Sequence, residues 1–235
     1  MVLDTITTEE KLLNFNHPKT YTYLSLGIGM VAVIILLINK EFFEIDFIEV
    51  FFSTLAIISF IIFAFSQFIT LFSKEDILIK KTGKLKITPD EFIIDNEQIN
   101  YEEVLSLKIN FDDYEGRVTN YNSSMDPMYS KGTDNYFKVK IIDKKIEKQI
   151  LVQSMREMIL VYDFLSNQIV KNKFKKVNPR QLIAIFRDDF KKTDEARNYI
   201  ATLIKEKKLN TTEGLLMMNY SSDKEAKDLR KKYLI

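Results

Sequence analysis

The sequence has no cysteine and only one histidine, His17, among its 235 residues. Without cysteine the chain can form no disulfide, no thiolate zinc site and no cysteine nucleophile. His17 stands beside Pro18, which interrupts a helix, so we interpret it as a loop residue rather than as a catalyst or metal ligand. The sequence also lacks a glycine-rich phosphate loop and a cluster of metal-ligating residues. We therefore expect a protein that is not an enzyme and that carries no cofactor.

Charged residues are nearly missing from two long stretches. Tyr21 to Ile38 contains eighteen residues without a charge, and Ile48 to Phe72 contains twenty-five residues of which only Glu49 is ionisable. At about 1.5 Å per residue, a helix over either stretch is long enough to cross a hydrocarbon core of about 30 Å. The pattern predicts a transmembrane helical hairpin over residues 21–73, preceded by a cytoplasmic segment over residues 1–20.

The amino-terminal segment carries a helix-start signal. Thr7 and Glu10 have the spacing of a capping box, and apolar residues follow as far as Phe15. We expect a short helix from Thr7 to Phe15 that ends before Pro18.

Lysine is distributed unevenly around the two apolar stretches. Five lysines follow the second stretch, whereas the connector carries only Lys40 and the residues before the first stretch carry Lys11 and Lys19. The five are Lys74, Lys80, Lys81, Lys84 and Lys86. Because cytoplasmic flanks are rich in Lys and Arg, we expect a multi-pass membrane protein with both termini in the cytoplasm. The five lysines either face anionic lipid, at about 1 kcal/mol each, or form the solvated face of edge strands.

Small and polar residues inside the apolar stretches indicate where the helices pack. Ser25 and Gly29 have the spacing of a close helix contact, and Gln67 is the one side-chain amide well inside the second stretch. We expect these residues to pack the two helices against each other. A homo-oligomer or a pore is the alternative interpretation.

From Ile77 onward, apolar and polar residues alternate as they do in strands. Alternation and turn residues predict strands at 77–81, 83–88, 91–95, 98–101, 104–111, 136–143 and 145–153. Ser154 and Glu157 then form a capping box for an amphipathic helix. Short strands followed by one helix predict a curled sheet or small β-barrel, closed by that helix, over residues 74–170.

The run KTGKLKITPDEFIIDNEQINYEEVLSLKI, residues 81–109, resembles the first half of bacterial pleckstrin-homology-like (PH-like) domains. The strand pair from Tyr136 and the capped helix from Ser154 complete the order of elements, so the resemblance covers about residues 76–170. It implies a binding or assembly domain of seven strands and a carboxyl-terminal helix. Membrane-tethered versions of this domain, preceded by a helical hairpin, are familiar in bacteria.

The loop over residues 112–135 is longer than a compact domain needs. Loops of this length without structure of their own usually have a function or lack a fixed conformation. We weigh a solvated excursion against a loop whose side chains become buried on a ligand or partner. The candidate residues are Tyr114, Gly116, Arg117, Tyr121, Met125, Met128 and Tyr129.

The last segment, residues 171–235, is basic. It holds 17 Lys or Arg against 9 Asp or Glu, whereas residues 1–170 hold 17 against 24. Residues 171–177 are expected to form a basic linker, and helix starts at Asn178, Thr193, Asn210 and Ser222 predict a small helical module. Since its basic residues are mixed with acids and lack an aromatic platform, we expect no nucleic acid as a partner.

Together these patterns predict an α+β membrane protein with a transmembrane hairpin, a PH-like β-domain and a helical module. The leading hypothesis is an inner-membrane scaffold or sensor whose partners are membrane lipids and another protein. The alternative is a two-helix effector that binds a small-molecule ligand such as a cyclic nucleotide and disrupts the membrane. In this alternative the chain resembles antiphage effectors that have two membrane helices and a β-barrel. The resemblance is one of layout, and no sequence motif is shared.

Overall fold

The computed structural model describes residues 1–10, 17–119 and 128–234. The described chain is a mixed α+β protein with two long apolar helices, a seven-stranded antiparallel sheet and several further helices. The helices are α1 Pro18–Ile38, α2 Asp46–Leu71, α3 Met155–Val170, α4 Pro179–Ile183, α5 Asp194–Lys205, α6 Thr211–Met217 and α7 Asp223–Tyr233. The strands are β1 Val2–Glu10, β2 Ile77–Ile87, β3 Glu91–Ile94, β4 Glu97–Asn100, β5 Ser106–Asn110, β6 Glu115–Val118, β7 Tyr129–Lys131, β8 Tyr136–Lys140 and β9 Lys145–Leu151.

The chain forms two compact units. The sheet unit comprises Met1–Thr7, Lys81–Tyr114 and Gly132–Ile235, and the hairpin unit comprises Thr8–Lys80 and Glu115–Lys131. The large sheet has the order β4-β3-β2-β1-β9-β8-β5, while β6 and β7 form a separate pair. This division differs from the four consecutive segments expected from the sequence, because the amino-terminal residues and the last helices both pack with the sheet.

The amino-terminal segment is a strand, so the helix expected from Thr7 is wrong over Thr7–Glu10; residues 11–15 lie outside the described part of the chain. The Met1 ammonium donates to the Ile87 carbonyl at 2.8 Å, and the Ile87 amide donates back to the Met1 carbonyl at 2.8 Å. On its other edge β1 pairs with β9, with Asp4 opposite Leu151. These distant partners outweigh the local capping-box spacing, which by itself is a weak signal.

Gly83 lies inside one continuous strand, β2, so the two separate strands expected on either side of it are wrong. A Cβ atom at Gly83 would lie 1.8 Å from the Asp95 Oδ1 atom, so glycine is required by a close approach rather than by a turn. The turn lies at Asp95 and Asn96, whose φ angles of 50° and 76° are typical of a two-residue hairpin loop.

Asp95 is surrounded by donors on the sheet. Its carboxylate accepts a hydrogen bond from the Lys84 amide at 3.0 Å and pairs with the Lys148 ammonium at 2.6 Å. Lys148 above all, and then the Lys84 amide, hold the pKa of the Asp95 carboxyl below its usual value. The β3–β4 turn is thereby linked to the neighbouring strands β2 and β9.

The helix starts predicted at Ser154, Asn178, Thr193, Asn210 and Ser222 are confirmed. In each case the side-chain oxygen accepts a hydrogen bond from a backbone amide of the first helical turn, which is the usual chemistry of an N-cap. The apolar faces of these helices join the core of the sheet, from Val161 in α3 to Tyr233 in α7.

Residues 171–177 are not a linker between modules, because Phe174 lies in the sheet core with 2% of its surface exposed. Its ring centroid is 4.5 Å from that of Tyr101 and 6.1 Å from that of Phe92. The flanking lysines pair with acids of the sheet, Lys173 with Asp90 at 3.0 Å and Lys175 with Glu102 at 2.7 Å. The segment therefore fixes the start of the last helices to the sheet.

We predict that Phe174→Ala destabilises the sheet unit by about 3–5 kcal/mol, because it removes a buried ring and leaves a cavity. The thermal midpoint of the full-length chain in detergent micelles should fall by about 10 °C. The matched variant Lys173→Met/Lys175→Met removes only exposed ion pairs and should change the midpoint by less than about 3 °C. Equal shifts for both variants would contradict the packing role of Phe174.

We further predict that Asp95→Asn destabilises the fold near pH 7 and not at low pH. Because the folded-state pKa is lowered, the carboxylate stabilises the fold above the ordinary Asp pKa of about 3.9, and the contribution is lost as pH falls through the folded-state pKa. The carboxylate is 35% exposed, so the expected loss is about 0.5–1 kcal/mol. Asn tolerates the positive φ, so the variant isolates the charge.

The measurement for Asp95 is the thermal midpoint of wild type and variant across pH. Asp143→Asn, at an exposed turn position without an ion pair to the described residues, is the control and should track wild type throughout. If the difference in thermal midpoint between Asp95→Asn and wild type does not shrink toward low pH, the stabilisation does not come from the charge of Asp95.

Candidate functional site at the helical hairpin

The helical hairpin α1–α2 is polar between its helices and apolar outside. The buried residues of α1 are Thr20, Thr22, Ser25 and Ala32, and those of α2 are Ser59, Ser66 and Thr70. Phe60 and Phe65, by contrast, expose 70% and 68% of their surfaces. This distribution is the reverse of that in a water-soluble helix pair, where the apolar face is buried.

The buried positions follow the 3.5-residue period of a coiled-coil seam. Along α1 they fall at Thr22, Ser25 and Ala32, with the half-buried Gly29 between the last two. Helices that bury one residue every three and four positions supercoil around each other with a narrow contact stripe. Gly27, which sits off this stripe, is exposed.

The hydroxyl groups along the seam form hydrogen bonds with each other or with backbone carbonyls. The Thr22 hydroxyl donates to the Ser66 Oγ atom of the other helix at 3.0 Å, and Ser25 and Thr70 donate to carbonyls of their own helices. Gln67, the amide expected to find a partner, has an enclosed Nε2 atom without a hydrogen bond to the part of the chain that the structure describes. The interhelical bond therefore comes from Thr22 and Ser66, which the sequence analysis did not single out together.

The residues expected to pack the helices lie where the two backbones approach. A Cβ atom added at Gly29 would lie 3.4 Å from the Ser59 Cβ atom, whereas one added at Gly27 would meet nothing within 4 Å. Beside this contact the helices leave an apolar groove of about 470 Å³ lined in part by Ser25, Gly29, Ser59 and Phe60.

Asn39 closes the turn at the far end of the hairpin. Its Nδ2 donates to the Ile45 carbonyl at 3.1 Å, and its Oδ1 accepts from the Ile45 amide at 3.2 Å. Glu44 adopts a positive φ of 50° and completes the reversal. The adjoining Phe42 and Phe47 rings are 74% and 78% exposed.

At the base of the hairpin, the residues that follow α2 pair with β7. The Glu75 amide donates to the Tyr129 carbonyl at 2.9 Å, and the Tyr129 amide donates to the Ser73 carbonyl at 3.3 Å. Lys74 and Tyr129 form the corresponding parallel bridge. We call residues 73–77 the exit segment.

His17 contacts the same segment from α1. It is the N-cap of α1, with its Nδ1 atom accepting from the Lys19 amide at 3.3 Å, and its Nε2 atom lies 2.9 Å from the Lys74 carbonyl oxygen. A carbonyl can only accept, so the proton is assigned to Nε2. The interpretation of His17 as a plain loop residue is incomplete, because its two ring nitrogens join the first turn of α1 to the end of α2.

The long loop is partly built into this base. Gly116 and Arg117 lie in β6, Tyr129 lies in β7, and Met128 immediately precedes it. Tyr114 is partly buried against the core of the sheet unit. Tyr121 and Met125 lie outside the described residues. Several of the candidate loop residues therefore lie in or beside the strands β6 and β7. These strands were not predicted, because apolar and polar residues do not alternate clearly in this part of the sequence.

The loop begins and ends in a buried network of the sheet unit. The Asn135 Nδ2 atom donates to the Asp113 and Gly132 carbonyls at 2.7 and 2.9 Å, and its Oδ1 atom accepts from the Asp113 amide at 2.9 Å. Asp113 and Asn135 are 4% and 2% exposed. Sequence reasoning missed this pair, because the whole loop separates the two residues along the chain and no local motif links them.

The five lysines expected to face lipid do not share one environment. Lys74 pairs with Glu115 at 2.5 Å in the hairpin unit, and Lys81 pairs with Asp4 at 2.5 Å in the sheet unit. Lys80, Lys84 and Lys86 are exposed at alternate positions of β2, without an ion pair to the residues described here. Alternation along the strand places Lys84 and Lys86 on one face of the sheet unit, whereas Lys80 belongs to the hairpin unit.

Comparison of the chain with protein-family models, with curated proteins and with solved structures finds no match in any of the three.

We predict that Gly29→Val weakens the helix pair, because its side chain must occupy the space now held by Ser59. The expected cost is about 1–3 kcal/mol, seen as a lower thermal midpoint of the detergent-solubilised chain. Gly27→Val is the matched control, since it adds the same side chain where there is open space. If both valines lower the midpoint equally, helix propensity rather than packing at Gly29 is responsible.

Proposed function

We propose that the chain is a non-enzymatic inner-membrane protein that acts as a scaffold or sensor, with the hairpin crossing the bilayer. The observation that carries the proposal is the inverted burial of α1 and α2, which hide hydroxyls and present Leu, Ile and Phe outward. Each helix spans 26 residues if the turn after α1 is included, about 39 Å, so either can cross a bilayer with some tilt. Lipid is the solvent in which such a surface is stable.

The PH-like resemblance gives the proposal its cytoplasmic part. The proposal is supported by six strands of the large sheet and the capped helix α3, which lie within residues 76–170, while β1 from the amino terminus supplies the seventh strand. A domain of this kind binds or assembles rather than performing chemistry. We therefore assign the sheet unit to partner recognition.

Two surfaces are available to partners of different chemistry. The exposed Lys84 and Lys86 on β2 suit anionic lipid or an acidic protein. An apolar groove of about 600 Å³ among the last helices, lined in part by Ile183, Leu216 and Met217, suits a protein segment. These surfaces support a scaffold or sensor that joins the membrane to a second protein.

We predict that the full-length chain stays in the membrane pellet after carbonate washing and that Phe60→Arg releases it or lowers its amount there. An arginine near the middle of a spanning helix costs about 2.5–3.5 kcal/mol in insertion. Ile142→Arg is the matched control, because Ile142 is 71% exposed on the sheet unit, where a new charge should not affect insertion.

A wild-type chain found in the supernatant, or equal effects of both arginines, would refute the spanning hairpin.

The scaffold role is tested in the same membranes by chemical cross-linking and affinity capture of the tagged full-length chain. A defined partner protein or lipid that is lost when Lys84 and Lys86 are both replaced by Glu supports the assignment. Capture of the chain alone, at every cross-linker length, contradicts it.

A further inference from the structure

The exit segment after α2 is held along both of its edges. In an extended chain the N–H and C=O groups of successive residues point to opposite sides. The Ser73 carbonyl and the Glu75 amide face β7, so the Lys74 carbonyl between them faces the other way, where the His17 Nε2 atom meets it. One short segment therefore carries β7 on one edge and the start of α1 on the other.

The bonds on the β7 edge include side chains as well as backbone. The Glu75 carboxylate accepts from the Lys131 amide at 3.2 Å, and the Lys131 ammonium donates to the Ile77 carbonyl at 2.9 Å. Lys74 pairs with Glu115 of β6 at 2.5 Å. We call the described residues 115–119 and 128–131 the strap, because they tie the exit segment along its length.

The strap is held mainly by polar contacts. The residues of β6 are mostly exposed, and in β7 only Ser130 is buried. Segments with few buried apolar contacts and solvent-exposed hydrogen bonds open at low free-energy cost, well before the whole molecule unfolds. The residues that flank the strap, Asp113 and Asn135, are by contrast fixed in the buried network of the sheet unit.

We propose that the strap is a latch on the hairpin, which acts through the exit segment and His17 on the first turn of α1. Release of the strap frees the exit segment on one edge, and the loosened Lys74 carbonyl then no longer holds the His17 ring. His17 is a positioning residue in this device. The inference deepens the proposed sensor role and rests on it for its purpose, but the coupling itself is a property of the hairpin unit.

The test is hydrogen–deuterium exchange, read by mass spectrometry, on the full-length chain in detergent micelles. In Glu75→Ala/Lys131→Met the exchange of peptides covering the exit segment should rise, and that of peptides covering residues 17–20 should rise with it, by about tenfold. The matched control is Glu97→Ala/Lys144→Met, which removes an exposed ion pair of the sheet unit and should alter neither peptide.

A reciprocal variant separates the two roles of His17. Asn is a good N-cap but is too short to reach the Lys74 carbonyl, so His17→Asn should raise exchange in the exit segment and leave the start of α1 protected.

A disulfide can re-fasten the exit segment to β7. The chain has no cysteine, so Lys74→Cys/Tyr129→Cys introduces one defined pair. Oxidation of that pair in the Glu75→Ala/Lys131→Met background should restore protection at residues 17–20.

Faster exchange in the exit segment without any change at residues 17–20 would overturn the proposal, because the two edges would then be independent. No change in either peptide would overturn it as well. Protection that oxidation fails to restore would show general unfolding rather than release of a latch. These outcomes do not depend on carbonate fractionation, so failure of the membrane assignment and failure of the latch are distinguishable.

Discussion

Strand β1 bonds to two strands that come after the helical hairpin in sequence, β2 on one edge and β9 on the other. The whole hairpin is thus an insertion between two neighbouring strands of one sheet. Because β1 and β2 are antiparallel, the end of the first and the start of the second lie at the same end of the sheet. The inserted residues fold mainly as the two helices α1 and α2, which reverse direction where Asn39 bonds to Ile45.

The two units distribute their apolar residues in opposite ways. In the sheet unit Phe92, Phe137 and Phe174 are fully buried, because water drives apolar surface together. In the hairpin the same residue type lies outside, and the driving force between helices comes from close backbone approach at Gly29 and the hydrogen bond from Thr22 to Ser66. The division between the two units falls within two strands, between Thr7 and Thr8 of β1 and between Lys80 and Lys81 of β2.

Features specified by local sequence could be predicted, and features specified by distant pairing could not. The helices that begin after Ser154, Thr193 and Ser222 could be predicted, because an N-cap side chain accepts a hydrogen bond from a backbone amide of the first turn that follows it. β1 gives no such signal, because its partners lie far along the chain, at Ile87 and beyond it at β9. The strap and the contact of His17 with Lys74 could not be predicted for the same reason. Each depends on the exit segment as a distant partner, and neither carries a local sequence motif.

The acidic residues 1–170 and the basic residues 171–235 form ion pairs with each other in the sheet unit. Lys173 and Lys175 of the basic tail pair with Asp90 and Glu102, which belong to the acidic part of the chain that precedes the tail. Such exposed pairs contribute little stability, yet they orient the segment that carries Phe174 into the core. Part of the positive excess of the tail is thereby neutralised inside the sheet unit. Outside the tail, Lys84 and Lys86 of β2 stay exposed without an ion pair to the described residues.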